Sequence, residues 1–258
     1  MNRLIGSIFH INGLAVQSFG FKKYLPIGKV EIVAEFLSSW GVDEIVILDI
    51  HATKNQSVTD SAVIKRVAKK INVPLSVGGG VKKLEHIKFM LDSGAEKVVI
   101  SSHLYGQNKW IMEASKKFGS QCIIGCIDYK IIDNKAVILR NNGTKFIKQS
   151  LFETVDLLSK IEIGEIMLHS IDNDGRRLGY DIETLKEINA ISSKPLIICG
   201  GAGNFSHIKN VISLDGCSPA IGNMLNHKEH HIAKIKAWLK TNCREKVRPN
   251  LEEFIYES

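Results

Sequence analysis

The 258-residue chain has no Cys-x-x-Cys pair and no apolar run approaching the ~20 residues needed to span a bilayer. Its five cysteines, Cys122, Cys126, Cys199, Cys217 and Cys243, are odd in number and fall mostly within apolar segments. That pattern argues against a disulfide framework or a zinc site and predicts reduced core thiols. Met1-Asn2-Arg3-Leu4 leads directly into a strand-like segment instead of the apolar stretch of a signal peptide, so a soluble, cytoplasmic protein without membrane contact is expected. Aromatic residues do not interleave the basic ones. The formal net charge is +7, but Lys65, Lys69, Lys70, Lys82, Lys83, Lys116 and Lys117 are scattered over helix-like stretches without recognition-motif spacing. They read as solvated helix surface, with no nucleic-acid partner. A milder consequence of the charge is attraction for small anions.

The chain does have enough apolar substance for a large core, 44% of its residues, and residues 1–258 are expected to form one domain. Short apolar segments near 4–9, 44–50, 74–77, 97–101, 122–128, 165–171, 195–199 and 219–222 read as strands. Between them lie stretches such as Val63-Ile64-Lys65-Arg66-Val67-Ala68 and Ile208-Lys209-Asn210-Val211-Ile212, whose apolar residues recur at helical spacing. Eight such units predict a closed parallel (β/α)8 TIM barrel. Near the end, Pro249 is expected to stop any helix.

The barrel repeats itself at half length. Glu44-Ile45-Val46-Ile47-Leu48-Asp49-Ile50 resembles Glu165-Ile166-Met167-Leu168-His169-Ser170-Ile171, 121 residues later, and Pro74-Leu75-Ser76-Val77-Gly78-Gly79-Gly80 recurs at the same offset as Pro195-Leu196-Ile197-Ile198-Cys199-Gly200-Gly201. One position breaks the repeat. The strand-like run ending in Ile127 continues into Asp128, whereas its first-half counterpart ends on Phe9. In such barrels chemistry sits at the C-terminal strand ends. There the two glycine clusters bare backbone N–H groups that can cradle phosphate oxygens, although tight strand-to-helix turns require glycine as well. A pseudo-twofold would set them on opposite sides of one mouth, which implies a ligand with a phosphate at each end.

These stretches, together with Phe118-Gly119-Ser120-Gln121, Ser170-Ile171-Asp172-Asn173-Asp174-Gly175, Gly179-Tyr180-Asp181 and Gly200-Gly201-Ala202-Gly203, resemble the cyclase subunit of imidazole glycerol phosphate synthase along nearly the whole chain. The resemblance implies a lyase-type synthase that joins ammonia from a glutaminase partner to a bisphosphorylated substrate, using one aspartate on strand 1 and one on strand 5. No cofactor is implied. Asp128 matches the second aspartate, Phe9 stands at the first, and Gln17 stands where the family has a substrate-binding lysine. The family's phosphate contacts fall on Gly80, Ser101 and Ser102 at one end and on Asp174, Gly175, Gly201, Gly222 and Asn223 at the other. Its ring of charged residues that admits ammonia falls on Arg3, Glu44, Lys97 and Glu165. A subgroup lacking the first aspartate is associated with amidation of surface sugars, and the chain looks like that subgroup. It would pair with a glutaminase as a heterodimer and pass ammonia to a further amidotransferase.

Other readings stay open. The aspartate at 128 could be a structural carboxylate paired with Lys130, and the ring could simply close the barrel bottom. The chain could be a genuine cyclase of histidine biosynthesis or a catalytically silent scaffold. A metal-dependent hydrolase could draw on His51, His103, His169 and Asp128, but strand 1 offers only His10 where a paired-histidine site needs two on one face.

Overall fold

The structure, a computed structural model, describes residues 2–106, 109–226, 231–243 and Arg248; Pro249 lies outside the described residues. Strand β1 (Ile5–Ile11) runs into an antiparallel hairpin, β2 (Leu14–Phe19) and β3 (Lys23–Lys29), and then into helix α1 (Val30–Ser39). Three plain strand-helix units follow: β4 (Glu44–Asp49) with α2 (Ser61–Ala68), β5 (Leu75–Gly78) with α3 (Leu84–Asp92), and β6 (Lys97–Ile100) with α4 (Lys109–Phe118). The second half repeats that order. Strand β7 (Ile123–Ile132) leads into the hairpin β8 (Lys135–Arg140) and β9 (Lys145–Ser150) and into α5 (Leu151–Lys160). After it come β10 (Glu165–Ser170) with α6 (Ile182–Ile191), β11 (Leu196–Cys199) with α7 (Phe205–Ile212), and β12 (Cys217–Ile221) with α8 (His231–Cys243).

Eight parallel strands close on themselves. β1 pairs β4, then β5, β6, β7, β10, β11 and β12 follow in turn, and β12 returns to β1. With a helix after each strand unit this is a (β/α)8 TIM barrel. Alternation along each strand builds two cores. Outward residues such as Ile8, Ile45, Ile47, Val98, Ile100, Ile166 and Leu168 pack against the helices. Inward residues Ile5, Val46, Val99, Ile124, Met167 and Ile197 fill the barrel with an apolar interior capped by Phe9. Among the described residues, no helix is long and apolar enough to cross a membrane.

The half-length repeat is visible in the elements: Glu44 and Glu165 open β4 and β10, and Leu75 and Leu196 open β5 and β11, each pair 121 residues apart. Register also aligns the position that breaks it. Phe9 lies across from Leu48, and Asp128 lies across from His169. Since Leu48 and His169 are repeat partners, Phe9 and Asp128 occupy equivalent places.

The two hairpins were not anticipated from the strand pattern, which ended β1 near residue 9 and β7 near residue 128. Both strands continue past the barrel rim and reverse at Asn12-Gly13 and Asp133-Asn134, all four with positive φ. Asn-Gly between apolar runs is a strong hairpin signal, so the first reversal was written in the sequence.

Candidate functional site

Among the described residues, a pair of hollows opens at the C-terminal mouth of the barrel. The first, about 560 Å³ including space open to solvent, is bordered by Gly80, Ser101, Ser102, His103, Asp128 and His169. The second, about 350 Å³ on the same basis, is bordered by Asp174, Gly175, Gly201, Gly222 and Asn223. Phe9 lines both, so its ring is the partition between them. The structure therefore gathers the expected residues into two groups on either side of β1.

Backbone geometry demands glycine at several of these positions, Gly80 and Gly201 most tightly. Gly80 has φ +68°, and a Cβ there would lie 1.8 Å from the Ser57 carbonyl oxygen; Gly201 has φ +118°, with a Cβ 2.0 Å from the Gly179 carbonyl oxygen. No side chain fits without moving the loop, which leaves the peptide groups bare beside each hollow.

Asp128, nearly buried, accepts a hydrogen bond from Ser101 Oγ at 2.9 Å and has His169 Nδ1 at 3.3 Å from its Oδ1. The Cys126 thiol also donates to Oδ1 at 4.0 Å, and among the described residues Asp128 makes no ion pair with Lys130, the alternative partner the sequence left open. Position along the strand explains it: the two residues share a face of β7, but Asp128 lies where β7 still pairs β10, and Lys130 lies beyond that pairing, on the part of β7 paired with β8. Ser102 Oγ accepts from the Asn141 N–H at 3.3 Å, which ties the second hairpin to the first hollow. On the other side, Ser18 Oγ donates to Asp174 Oδ2 at 2.5 Å and the Gly20 N–H donates to the same oxygen at 3.1 Å. Asn223 Nδ2 donates to the Ser18 carbonyl at 2.8 Å, so the first hairpin leans over the second hollow. Gln17 is buried on β2.

In the sequence His169 stands out only as a metal candidate. Its ring stacks on Phe9, with centroids 5.3 Å apart at 14°, and meets Phe21 edge-on at 4.9 Å. Burial opposes its proton, but the Cys199 sulfur and the carboxyls of Asp128 and Asp174 outweigh burial and hold the imidazole well above its ordinary pKa. Burial pushes the Asp174 carboxyl up, against the opposing pull of His169. Of the other metal candidates, His103 borders the first hollow, and among the described residues no three His, Cys, Asp or Glu side chains gather as a ligand set.

At the opposite mouth, Arg3, Glu44, Lys97 and Glu165 form a closed ring. Arg3 Nη1 lies 2.6 Å from Glu44 Oε2, and the same guanidinium holds Glu165 through both nitrogens at 3.0 and 2.9 Å. Lys97 Nζ spans the same two glutamates at 2.9 and 3.1 Å. Ser76 Oγ donates to Glu44 at 2.7 Å. Each cation thus bridges both anions. Burial pushes the Glu165 carboxyl up, but Arg3 and Lys97 overcome it and leave its pKa below the usual carboxylate range. Glu44, Lys97 and Glu165 open β4, β6 and β10, and Arg3 lies two residues before β1, so the ring is the floor of the apolar interior.

The profile of the family described as Histidine biosynthesis protein matches residues 3–231. A Vibrio vulnificus protein, provisionally described as imidazole glycerol phosphate synthase subunit hisF2, is 37% identical over 256 residues, covering 98% of this chain and 94% of its own. Imidazole glycerol phosphate synthase subunit HisF of Flavobacterium johnsoniae is 33% identical over 241 residues, with 93% and 96% covered. The same subunit of Sulfurisphaera tokodaii is 36% identical over 220 residues, with 85% and 88% covered.

Proposed function

The chain belongs to the histidine biosynthesis protein family, and on that ground we propose that it is a specialised relative of the cyclase subunit that takes ammonia from a glutaminase and hands it on for amidation of a surface sugar. One observation carries this reading: Phe9 stands at the place equivalent to Asp128, while the four-charge ring below is complete. The glutaminase docks at the lower mouth as a heterodimer. Arg3, Glu44, Lys97 and Glu165 part to admit ammonia, and a further amidotransferase receives it above.

The barrel interior supports conduction of the neutral molecule. Ile5, Val46, Val99, Ile124, Met167 and Ile197 offer no partner for a charge, so ammonium would lose its hydration uncompensated while ammonia would not. At the upper mouth Asp128 is the remaining acid-base carboxyl. Gly80, Ser101 and Ser102 hold one phosphate, and Asp174, Gly175, Gly201, Gly222 and Asn223 hold the other. The genuine histidine-pathway cyclase is the second reading, favoured by Asp128 and the paired hollows and opposed by Phe9.

The test is to add the purified chain to its glutaminase subunit and follow glutamine hydrolysis. A one-to-one complex with hydrolysis raised about tenfold, or about 1.4 kcal/mol off the barrier, is expected. Absence of both a complex and any stimulation would remove the proposal.

A further inference from the structure

The twofold repeat leaves the two halves of the upper mouth chemically unequal. At one register level the first half carries Phe9 and Leu48, and the second half carries Asp128 and His169. His169 is fully buried, with Nδ1 3.3 Å from Asp128 Oδ1 and Nε2 4.0 Å from Asp174 Oδ1. Neither nitrogen makes an aligned hydrogen bond among the described residues. The outer oxygens of both carboxyls are already engaged, Asp128 Oδ2 by Ser101 and Asp174 Oδ2 by Ser18 and Gly20. Both Oδ1 atoms are turned to the imidazole, and Asp128 Oδ1 also accepts from the Cys126 thiol at 4.0 Å.

Asp128 borders the first hollow and Asp174 the second. If both hollows take phosphate groups, each contains a carboxyl that would repel its ligand. A single imidazolium between the two carboxyls weakens that repulsion on both sides, taking their summed charge from −2 to −1.

We propose that His169 is a positioning residue that makes anion binding at the upper mouth depend on its proton. As imidazolium it partly offsets Asp128 and Asp174 and admits a doubly charged phosphate-type anion; as neutral imidazole it leaves both of those carboxylates uncompensated and the anion is excluded. This rests on reading the hollows as anion half-sites.

The groups facing the ring are Asp128 and Cys126 on β7, Asp174 after β10 and Cys199 on β11, with the uncharged rings of Phe9 and Phe21 completing its surroundings. Burial, reinforced by Asp128 and Cys199, pushes the Cys126 thiol well up, which keeps it uncharged. A histidine pKa raised in the folded protein means that the cation is present at neutral pH and is lost as pH rises through the folded value. Anion affinity should fall in that window. His103 also borders the first hollow, but burial together with Lys82, Arg140 and His86 lowers its pKa, so it is neutral from about pH 7 upward. Burial raises Tyr24 and Tyr105, which stay protonated there.

Inorganic sulfate is the probe, because its charge is constant over this range. Calorimetric titration of the full chain from about pH 7 to pH 9.5 at fixed ionic strength, with ring-nitrogen NMR locating the His169 midpoint, should show affinity falling about tenfold or more across that midpoint. His169→Gln should bind weakly with no pH dependence. Asp128→Asn keeps the imidazole and removes one carboxylate, so it should bind sulfate more tightly than the wild type at the alkaline end; it also covers the case in which His169→Gln does not fold. Wild-type affinity that ignores the His169 midpoint, or wild-type binding in His169→Gln, would overturn the role of His169 alone. Absence of sulfate binding in all three proteins would overturn the anion half-sites themselves, and with them this inference.

Discussion

Supplied with ammonium salt and the bisphosphorylated substrate of histidine-pathway cyclases, the purified chain should turn over about 10²- to 10⁴-fold more slowly than a relative with aspartates on both strands. That factor is the ordinary worth of a positioned acid or base, roughly 3–5 kcal/mol of barrier. Phe9 can neither donate nor accept a proton, and its ring lines both hollows and stacks on His169. Phe9→Asp should recover only part of the rate, because on the proposed likeness to the cyclase Gln17 takes the place of a substrate-binding lysine, and the new carboxyl joins Asp128 and Asp174 beside a single imidazole. Initial rates of substrate loss decide it. Turnover of the wild type comparable to a two-aspartate cyclase would return the chain to the histidine pathway.

The second large effect is expected at the lower mouth. Lys97→Met keeps the aliphatic stem and removes the charge, which leaves Arg3 alone to balance Glu44 and Glu165. Glu44 is 1% exposed, so the imbalance cannot be relieved by water without opening the floor of the barrel. With the glutaminase and the acceptor enzyme reconstituted, glutamine hydrolysis should continue while amidated product per glutamine falls about fivefold or more, the missing nitrogen appearing as free ammonia. Glu165→Gln should act in the same direction and less strongly, since the amide still accepts hydrogen bonds from Arg3. Circular dichroism checks that each variant keeps its fold. Unchanged coupling in both variants would make the ring a structural closure of the barrel and nothing more.

Much of this was open to reading in the chain itself. Eight apolar segments at regular spacing, with helical patterns between them, called for a closed parallel barrel, and the offset between Glu44 and Glu165 or Pro74 and Pro195 reflects a repeat that the elements follow closely. The residues expected around two anion sites do fall in two groups, because the glycine-rich turns and the serines after β6 are local features of strand ends. The hairpins were missed because β2 and β3 are short, partly polar ladders outside the barrel, where alternation gives way to cross-strand pairing with β1. The link between His169 and Asp128 was missed for a different reason. It arises where β10 closes on β7, so that residues 41 positions apart meet side by side, and only the register fixes which pair it is. Phe21 reached the mouth in the same indirect way, carried there by the turn between β2 and β3.

The docking of a glutaminase at the lower mouth is the claim on which the rest depends, and hydrogen exchange of the full chain with and without that partner tests it most directly. Protection should appear at the strand starts around Arg3, Glu44, Lys97 and Glu165 and in the turns that precede them, while the hairpins β2–β3 and β8–β9 at the far mouth exchange as before. Protection confined to those hairpins, or none anywhere at concentrations that saturate the partner, would contradict a glutaminase-fed conduit.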